Sequence, residues 1–139
     1  MAIELNHTII HAVDQQMSAQ FYCDIFGLEC QELFSGHFLA VQINASLTFD
    51  FEGATDAPSS SQHYAFKVSE QEFDEIFDRI KASNLPYTSS PDYTVNDMKV
   101  NHHNGGRGVY FRDLDGNMLE ILTADYNDSQ PFEYGVHDR

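Results

Sequence analysis

Apolar and polar positions change period several times along the chain, and the changes come in the same order twice. Near the start, Leu5, His7, Ile9 and His11 alternate with Thr8 and Ile10, the period of a strand. A helix is predicted over 14–26, with Asp14 as its N-cap and Gly27 just past its end. Three strand-like runs follow at 28–34, 38–44 and 46–51, with Gly36 and Asn44 supplying turn chemistry. The order then restarts. In 62–68 the apolar set is Tyr64, Phe66 and Val68. Ser69 and Glu72 make a capping box ahead of a helix over 70–83, whose Phe73, Ile76, Phe77 and Ile80 share one face. Strand-like runs at 87–89, 108–111 and 118–123 complete the second half. Asp113-Leu114-Asp115-Gly116-Asn117 turns between the last two.

Each half reads β-α-β-β-β. This predicts an α+β chain of two βαβββ modules, 3–52 and 62–124, forming a curved mixed sheet with helices on the outside. A Gly/Ala/Pro/Ser-rich linker at 53–61 separates them, a polar loop at 90–107 lengthens the second, and a loosely ordered polar tail occupies 125–139. His7 and His63 hold equivalent positions at the two openings. At the two closings Ser46-Leu47-Thr48 is set against Glu120-Ile121-Leu122.

Alternation along strands sorts the faces. Tyr64, Phe66, Phe49, Phe51, Val109, Phe111, Leu119 and Ile121 turn toward the helices. The opposite face collects His7, His11, Ser46, Thr48, Asp50, His63, Tyr110, Arg112 and Glu120. A solvated sheet face also reads polar. Two histidines at matching positions and a carboxylate on a closing strand favour a concave small-molecule site instead. The loop pair His102-His103 is either solvated or a lid over that site, and Arg107 either anchors the loop or meets the substrate.

Composition narrows the partners. The 139 residues fit one domain or two small modules sharing a core, burying roughly two-thirds of the unfolded surface. Seven Lys and Arg face 22 Asp and Glu, a formal net charge of −15. Such a surface repels phosphate backbones and anionic lipid and tolerates divalent metal, so neither nucleic acid nor membrane is an expected partner. No apolar run nears the ~18 residues of a membrane span, and no signal-like segment opens the chain; a cytoplasmic location is expected. Cys23 and Cys30 form no CxxC and are expected to be buried reduced thiols. Sheet edges and the runs 21–26 and 38–43 point to a homodimer.

The chain resembles the vicinal oxygen chelate superfamily of glyoxalase I, fosfomycin-resistance thiol transferases, extradiol dioxygenases and bleomycin-resistance proteins. The resemblance covers nearly all of 3–124. It is carried by Leu5-Asn6-His7, by the run Ala19-Gln20-Phe21-Tyr22-Cys23-Asp24-Ile25-Phe26-Gly27-Leu28, by Gln62-His63-Tyr64-Ala65-Phe66, and by the closing run from Val109 to Glu120. In that last run Leu114 replaces the superfamily's usual turn proline.

The resemblance implies that His7, His63 and Glu120 hold one divalent ion per chain, Fe, Mn, Ni or Zn, with open positions for substrate. Glyoxalase I carries a carboxylate where Ser46 falls and an Arg near the position of His11, so glyoxalase I activity is expected to be absent or poor. Tyr110 falls where fosfomycin-type transferases place a substrate-binding Tyr. His102 or His103 with Tyr110 would serve a dioxygenase as proton-handling groups. The expected function is therefore a metal-dependent enzyme on a small substrate that chelates through two oxygens, of lyase, thiol-transferase or dioxygenase type. Tyr110, His102 and His103 are the expected catalytic residues, with His11, Ser46, Thr48, Asp50, Arg107 and Arg112 around the substrate. The alternative is a non-catalytic sequestering protein of the bleomycin-resistance kind.

Overall fold

The computed structural model describes residues 2–139 except 31, 32, 36, 54, 55, 57–59, 93–95, 134 and 135. The Gly36 turn and part of the 53–61 linker therefore lie outside the described residues. The chain divides into two units. One comprises Met1–Ser61 with Asp113–Asp115, the other Gln62–Arg112 with Gly116–Arg139.

The first unit holds β1 (His7–Ala12), α1 (Gln15–Phe26), β2 (Leu33–Ser35), β3 (Phe38–Gln42) and β4 (Thr48–Gly53). Its sheet runs β1-β4-β3-β2. β1 lies parallel to β4, His7 opposite Thr48 and Ile9 opposite Asp50, while β4, β3 and β2 are antiparallel. Alternation follows the expected phase: Ile10, Ala12, Phe49 and Phe51 are buried, whereas His7, Ile9 and His11 are exposed. α1 begins where Asp14 accepts the Met17 amide and ends at Gly27, whose φ of 70° suits a residue without Cβ. Tyr22 packs against Phe49 and Phe51, with centroids 5.7 and 5.2 Å apart. Its hydroxyl donates to Asp113 at 2.6 Å. The Asp115 carboxylate accepts from Val13 N and the Ser18 hydroxyl.

Two expectations are corrected here. Cys23 and Cys30 are joined in a disulfide, Cα atoms 5.7 Å apart, rather than being two thiols. The left-handed turn at Gly27 reverses the chain and returns Cys30 to the flank of α1, which a scan for CxxC does not detect. Residues 28–30, expected to open a strand, instead complete that reversal, and β2 is described over Leu33–Ser35.

The second unit holds β5 (His63–Lys67), α2 (Glu70–Ala82), β6 (Tyr87–Thr88), β7 (Val100–Asn101), a 3-10 turn (His103–Gly105), β8 (Gly108–Arg112), β9 (Met118–Leu122) and β10 (Val136–His137). Its sheet runs β10-β7-β8-β9-β5, with β6 also paired to β8. β5 is parallel to β9 and β8 antiparallel to it. The capping box forms as expected, Ser69 and Glu72 bonding reciprocally. Glu70 and Glu72 at the first turn and Arg79 and Lys81 at the last complement the helix dipole. Phe73, Ile76, Phe77 and Ile80 are buried.

Among the described residues the fold is thus α+β with two helices, as the sequence implies, and the strands form two mixed sheets of four and six strands. The tail is also more structured than expected. β10 pairs with β7, Arg139 bonds Asp74 and Asp78 at 3.0 and 3.1 Å, and Lys99 pairs with Asp138. No helix among the described residues is long and apolar enough to cross a membrane.

Asp97 organises the inserted loop. Its carboxylate accepts from the Ser89 hydroxyl and amide, the Lys99 amide and the Thr88 hydroxyl. Burial alone would raise its pKa, but these bonds outweigh burial and hold the carboxyl below the usual aspartate range. Stabilisation from a depressed carboxyl is complete above the unfolded pKa and lost as pH falls through the folded one. Asp97→Asn should therefore be less stable than the parent at neutral pH, with the gap closing as the pH falls below the usual aspartate value of about 4. Urea unfolding across that range measures it; a gap constant with pH would show that the charge is not used. Reducing the disulfide should also lower stability, by about 2–3 kcal/mol for so short a loop, read as a fall in Tm that Cys30→Ser reproduces.

Candidate metal and substrate site

The parallel pairing of β5 with β9 sets Ala65 opposite Glu120, and the antiparallel pairing of β8 sets Tyr110 opposite the same residue. Leu119 and Ile121 point into the core, so alternation turns Glu120 to the other face. His63, two residues before Ala65 and on its face, reaches Glu120 diagonally: Nε2 lies 3.1 Å from Oε1. Their side chains are 45% and 15% exposed, so Glu120 is held well inside while His63 stays accessible. Tyr110 is buried, with its ring centroid 6.0 Å from that of His63. Burial first, then the charge of Glu120 and the hydrogen bond the hydroxyl donates to it, raise the Tyr110 pKa far above the usual tyrosine value. Tyr110 therefore stays protonated at neutral pH, and acts as a donor that orients Glu120 rather than as a base.

These residues open onto a cavity of about 740 Å³ whose walls include His103, Tyr126 and Phe132. His103 is carried by the 3-10 turn, where Asn104 and Gly105 adopt φ of 57° and 78°. Asn104 accepts the Asn127 amide, and its own amide donates to Pro131 O, so the turn is fastened to the tail. A Cβ at Gly105 would fall 1.8 Å from the Gln130 side chain. The His103 ring meets Phe132 edge-on at 4.8 Å and bonds the Glu133 backbone. Among the described residues its buried Nδ1 has no partner. Burial lowers its pKa, so the ring is neutral at pH 7.

His63 and Glu120 fit a divalent cation. Bonds of about 2.1 Å at right angles put two donor atoms about 3.0 Å apart, and the pair already stands at 3.1 Å. His7 belongs to the first unit. Its Nδ1 lies 2.7 Å from the Asn6 side-chain oxygen. An oxygen can only accept, so that bond leaves the lone pair on Nε2, the form a metal ligand takes.

The other expected residues divide. Arg107 lines the cavity, but its guanidinium is committed to Glu70 at 2.7 Å and Asp74 at 2.9 Å and covers the Phe73 ring at 4.3 Å. His102 does not line it; it faces the Arg139 carbonyl and stacks on His137. Arg112 lines a different cavity with Tyr87 and Asn96. In the first unit, His11 lies 3.8 Å from Glu52, and Thr48 donates to Gln42 at 3.5 Å.

Ser46 is not on a strand. It sits in a turn whose Asn44 side chain accepts from the Ser46 and Leu47 amides. The equivalence of Ser46 with Glu120 is therefore corrected. With His7 matched to His63, Thr48 matches Met118 and Asp50 matches Glu120. A carboxylate does occupy the equivalent position, so the expectation of poor glyoxalase I activity loses its basis in Ser46. The sequence reading missed Tyr126 and Phe132 because they fall in the tail, although large aromatics in a polar stretch were a signal.

The profile of the Glyoxalase/Bleomycin resistance protein/Dioxygenase superfamily matches residues 4–121. The chain belongs to this superfamily. Among solved structures, this superfamily member is similar to Oxidase ChaP-H2, at 43% identity and TM-score 0.84 over 91% of this chain and 98% of that one. It is likewise similar to Oxidase ChaP-H1, at 45% and 0.82 over 89% and 98%. Metallothiol transferase FosB of Lysinibacillus sphaericus (strain C3-41) is 25% identical over 136 residues, 89% of this chain and 84% of that protein. These relatives are enzymes, and they support a metal-dependent enzyme of the superfamily here.

Arg107 generates a test. Arg107→Met should lower Tm by a few degrees, since it removes two ion pairs and a ring contact, and should leave metal stoichiometry unchanged. Unchanged Tm with weakened ligand binding would return Arg107 to the substrate.

Proposed function

We propose that this protein is a metal-dependent oxidase of small aromatic substrates that present two adjacent oxygens, of the catechol type. The carrying observation is the 43–45% identity to two oxidases across nine-tenths of the chain. The aromatic walls of the cavity agree with it. In this reading His63 and Glu120 hold one divalent ion with His7 as third ligand, and Asp50 is a second carboxylate at the equivalent position. When bound, the ion supplies Lewis acidity to the two substrate oxygens and a redox centre for oxygen chemistry. Tyr110 keeps Glu120 oriented by donating to it. Tyr126, Phe132, Leu122 and Ala65 hold an aromatic ring and exclude water. Oxidation of a catechol to a quinone releases two electrons and two protons, and O₂ takes up both of each to leave as hydrogen peroxide; His103 relays one of the protons through Nδ1 and ends neutral.

The thiol-transferase reading is weaker on two counts. Identity to those relatives is 24–25%, and the cavity arginine is already neutralised by Glu70 and Asp74. Assembly as a homodimer belongs to the same proposal. β1 and β5 are both sheet edges, and Leu5 and Ile9 on the β1 face are 65% and 42% exposed.

Protein loaded with Fe(II) or Mn(II) should consume O₂ with a catechol in an oxygen electrode. His63→Ala and Glu120→Gln should each lose about 100-fold or more, and Tyr110→Phe about 10-fold. Metal-loaded protein that ignores every catechol yet turns over an epoxide with a thiol would replace this reading with thiol transfer.

A further inference from the structure

We propose that His102, Glu133 and His137 form a second cation site, separate from His63 and Glu120, that takes a borderline divalent ion such as Zn(II), Ni(II) or Cu(II) and fastens the C-terminal segment along the cavity wall. The pairing of β10 with β7 creates it. His137 stands opposite Val100 and Val136 opposite Asn101. Residue 102 shares the face of residue 100, so His102 and His137 are diagonal neighbours on one face. Their rings stack with centroids 3.6 Å apart and planes 17° apart. Glu133, one helical-turn spacing before His137, brings Oε1 to 3.3 Å from Nε2. One donor atom from each of the three residues lies within 4.8 Å of the others.

Two imidazoles and one carboxylate suit borderline divalent ions. The Arg139 carbonyl lies 3.1 Å from His102 Nε2 and can only accept, so the proton sits on Nε2 and the lone pair on Nδ1. Nearby charges are already matched. Arg139 is bound by Asp74 and Asp78, and Lys99 by Asp138. The carboxylate of Glu133 faces His137. The separation of 4.8 Å exceeds the roughly 3.0–3.4 Å between donors on one ion. Rotation of the partly exposed His137 and Glu133 side chains closes that gap and unstacks the rings.

The position gives the ion a consequence. Phe132, beside Glu133, lines the cavity and meets His103 edge-on. The Glu133 backbone bonds His103. Among the described residues β10 is paired to β7 at two positions. An ion shared by His102 on the loop and by Glu133 and His137 on the tail would tie together the two segments that form this wall.

The test is Zn(II) titration of metal-free protein by calorimetry, with folding followed by circular dichroism. The parent should bind two equivalents. His63→Ala should retain one, and His137→Ala and Glu133→Gln should each retain one of the two. Cu(II) added to the His63→Ala variant should give an electron paramagnetic resonance spectrum with nitrogen coupling, lost on adding His137→Ala. Zn(II) should slow proteolysis of the C-terminal segment in His63→Ala but not in His63→Ala/His137→Ala. A folded His63→Ala protein that binds no Zn(II), or a His137→Ala protein that still binds two, overturns the proposal. Absence of oxidase turnover with two equivalents bound would count against the proposed reaction and leave this site standing.

Discussion

A strand that slips by one residue exchanges its two faces, and in both units the parallel pair between opening and closing strand prevents that slip. His7 opposite Thr48 and His63 opposite Met118 fix the phase. Phe49 and Phe51 in one unit, and Leu119 and Ile121 in the other, then bury against their helices. Every candidate ligand follows from the same constraint. A one-residue shift of β9 would send Glu120 into the core and bring Leu119 and Ile121 onto the cavity face. Burial of four large side chains thus determines where a carboxylate and two imidazoles can stand.

Within the second unit that constraint is sharpened by Tyr110. A carboxylate beside a histidine can rotate or take up a proton. Glu120 instead accepts from a buried hydroxyl on the neighbouring strand, whose own proton is held tightly by burial and by the Glu120 charge. The orientation of this candidate ligand is therefore built into the β8–β9 ladder. Asn6 has the corresponding role for His7, by fixing which ring nitrogen keeps its lone pair.

What could be read from the sequence was what local chemistry dictates. Asp14 and the Ser69/Glu72 box start the helices where expected, because an N-cap acts over three residues. The histidine openings and Glu120 were legible because alternation is also local. The failures share a cause in chain reversals and long-range pairing. Gly27 carries Cys30 back to Cys23, and nothing in the spacing announces it. Asn44 draws Ser46 into a turn, which moves the equivalent position four residues on, to Asp50. The tail looked loose because its order comes from a two-residue strand pairing and from ion pairs with α2, neither visible as a periodic pattern.

The distribution of charge bears on the substrate. All seven Lys and Arg lie in 62–139, and none in 1–61. Ion pairs within the second unit join Lys67 with Asp125, Lys81 with Asp78, Lys99 with Asp138, Arg107 with Glu70 and Asp74, and Arg139 with Asp74 and Asp78. All of these cations but Lys81, whose pair lies within α2, fasten the loop or the tail. A formal net charge of −15 on the chain raises the cost of bringing in a phosphonate or a carboxylate-rich thiol. On the catechol reading proposed above, the substrate would enter neutral and shed its protons inside, where a neutral His103 can pass one on. The electrostatics therefore support the proposed reading, in which the substrate arrives uncharged and becomes anionic only at the site, over transfer of an anionic thiol.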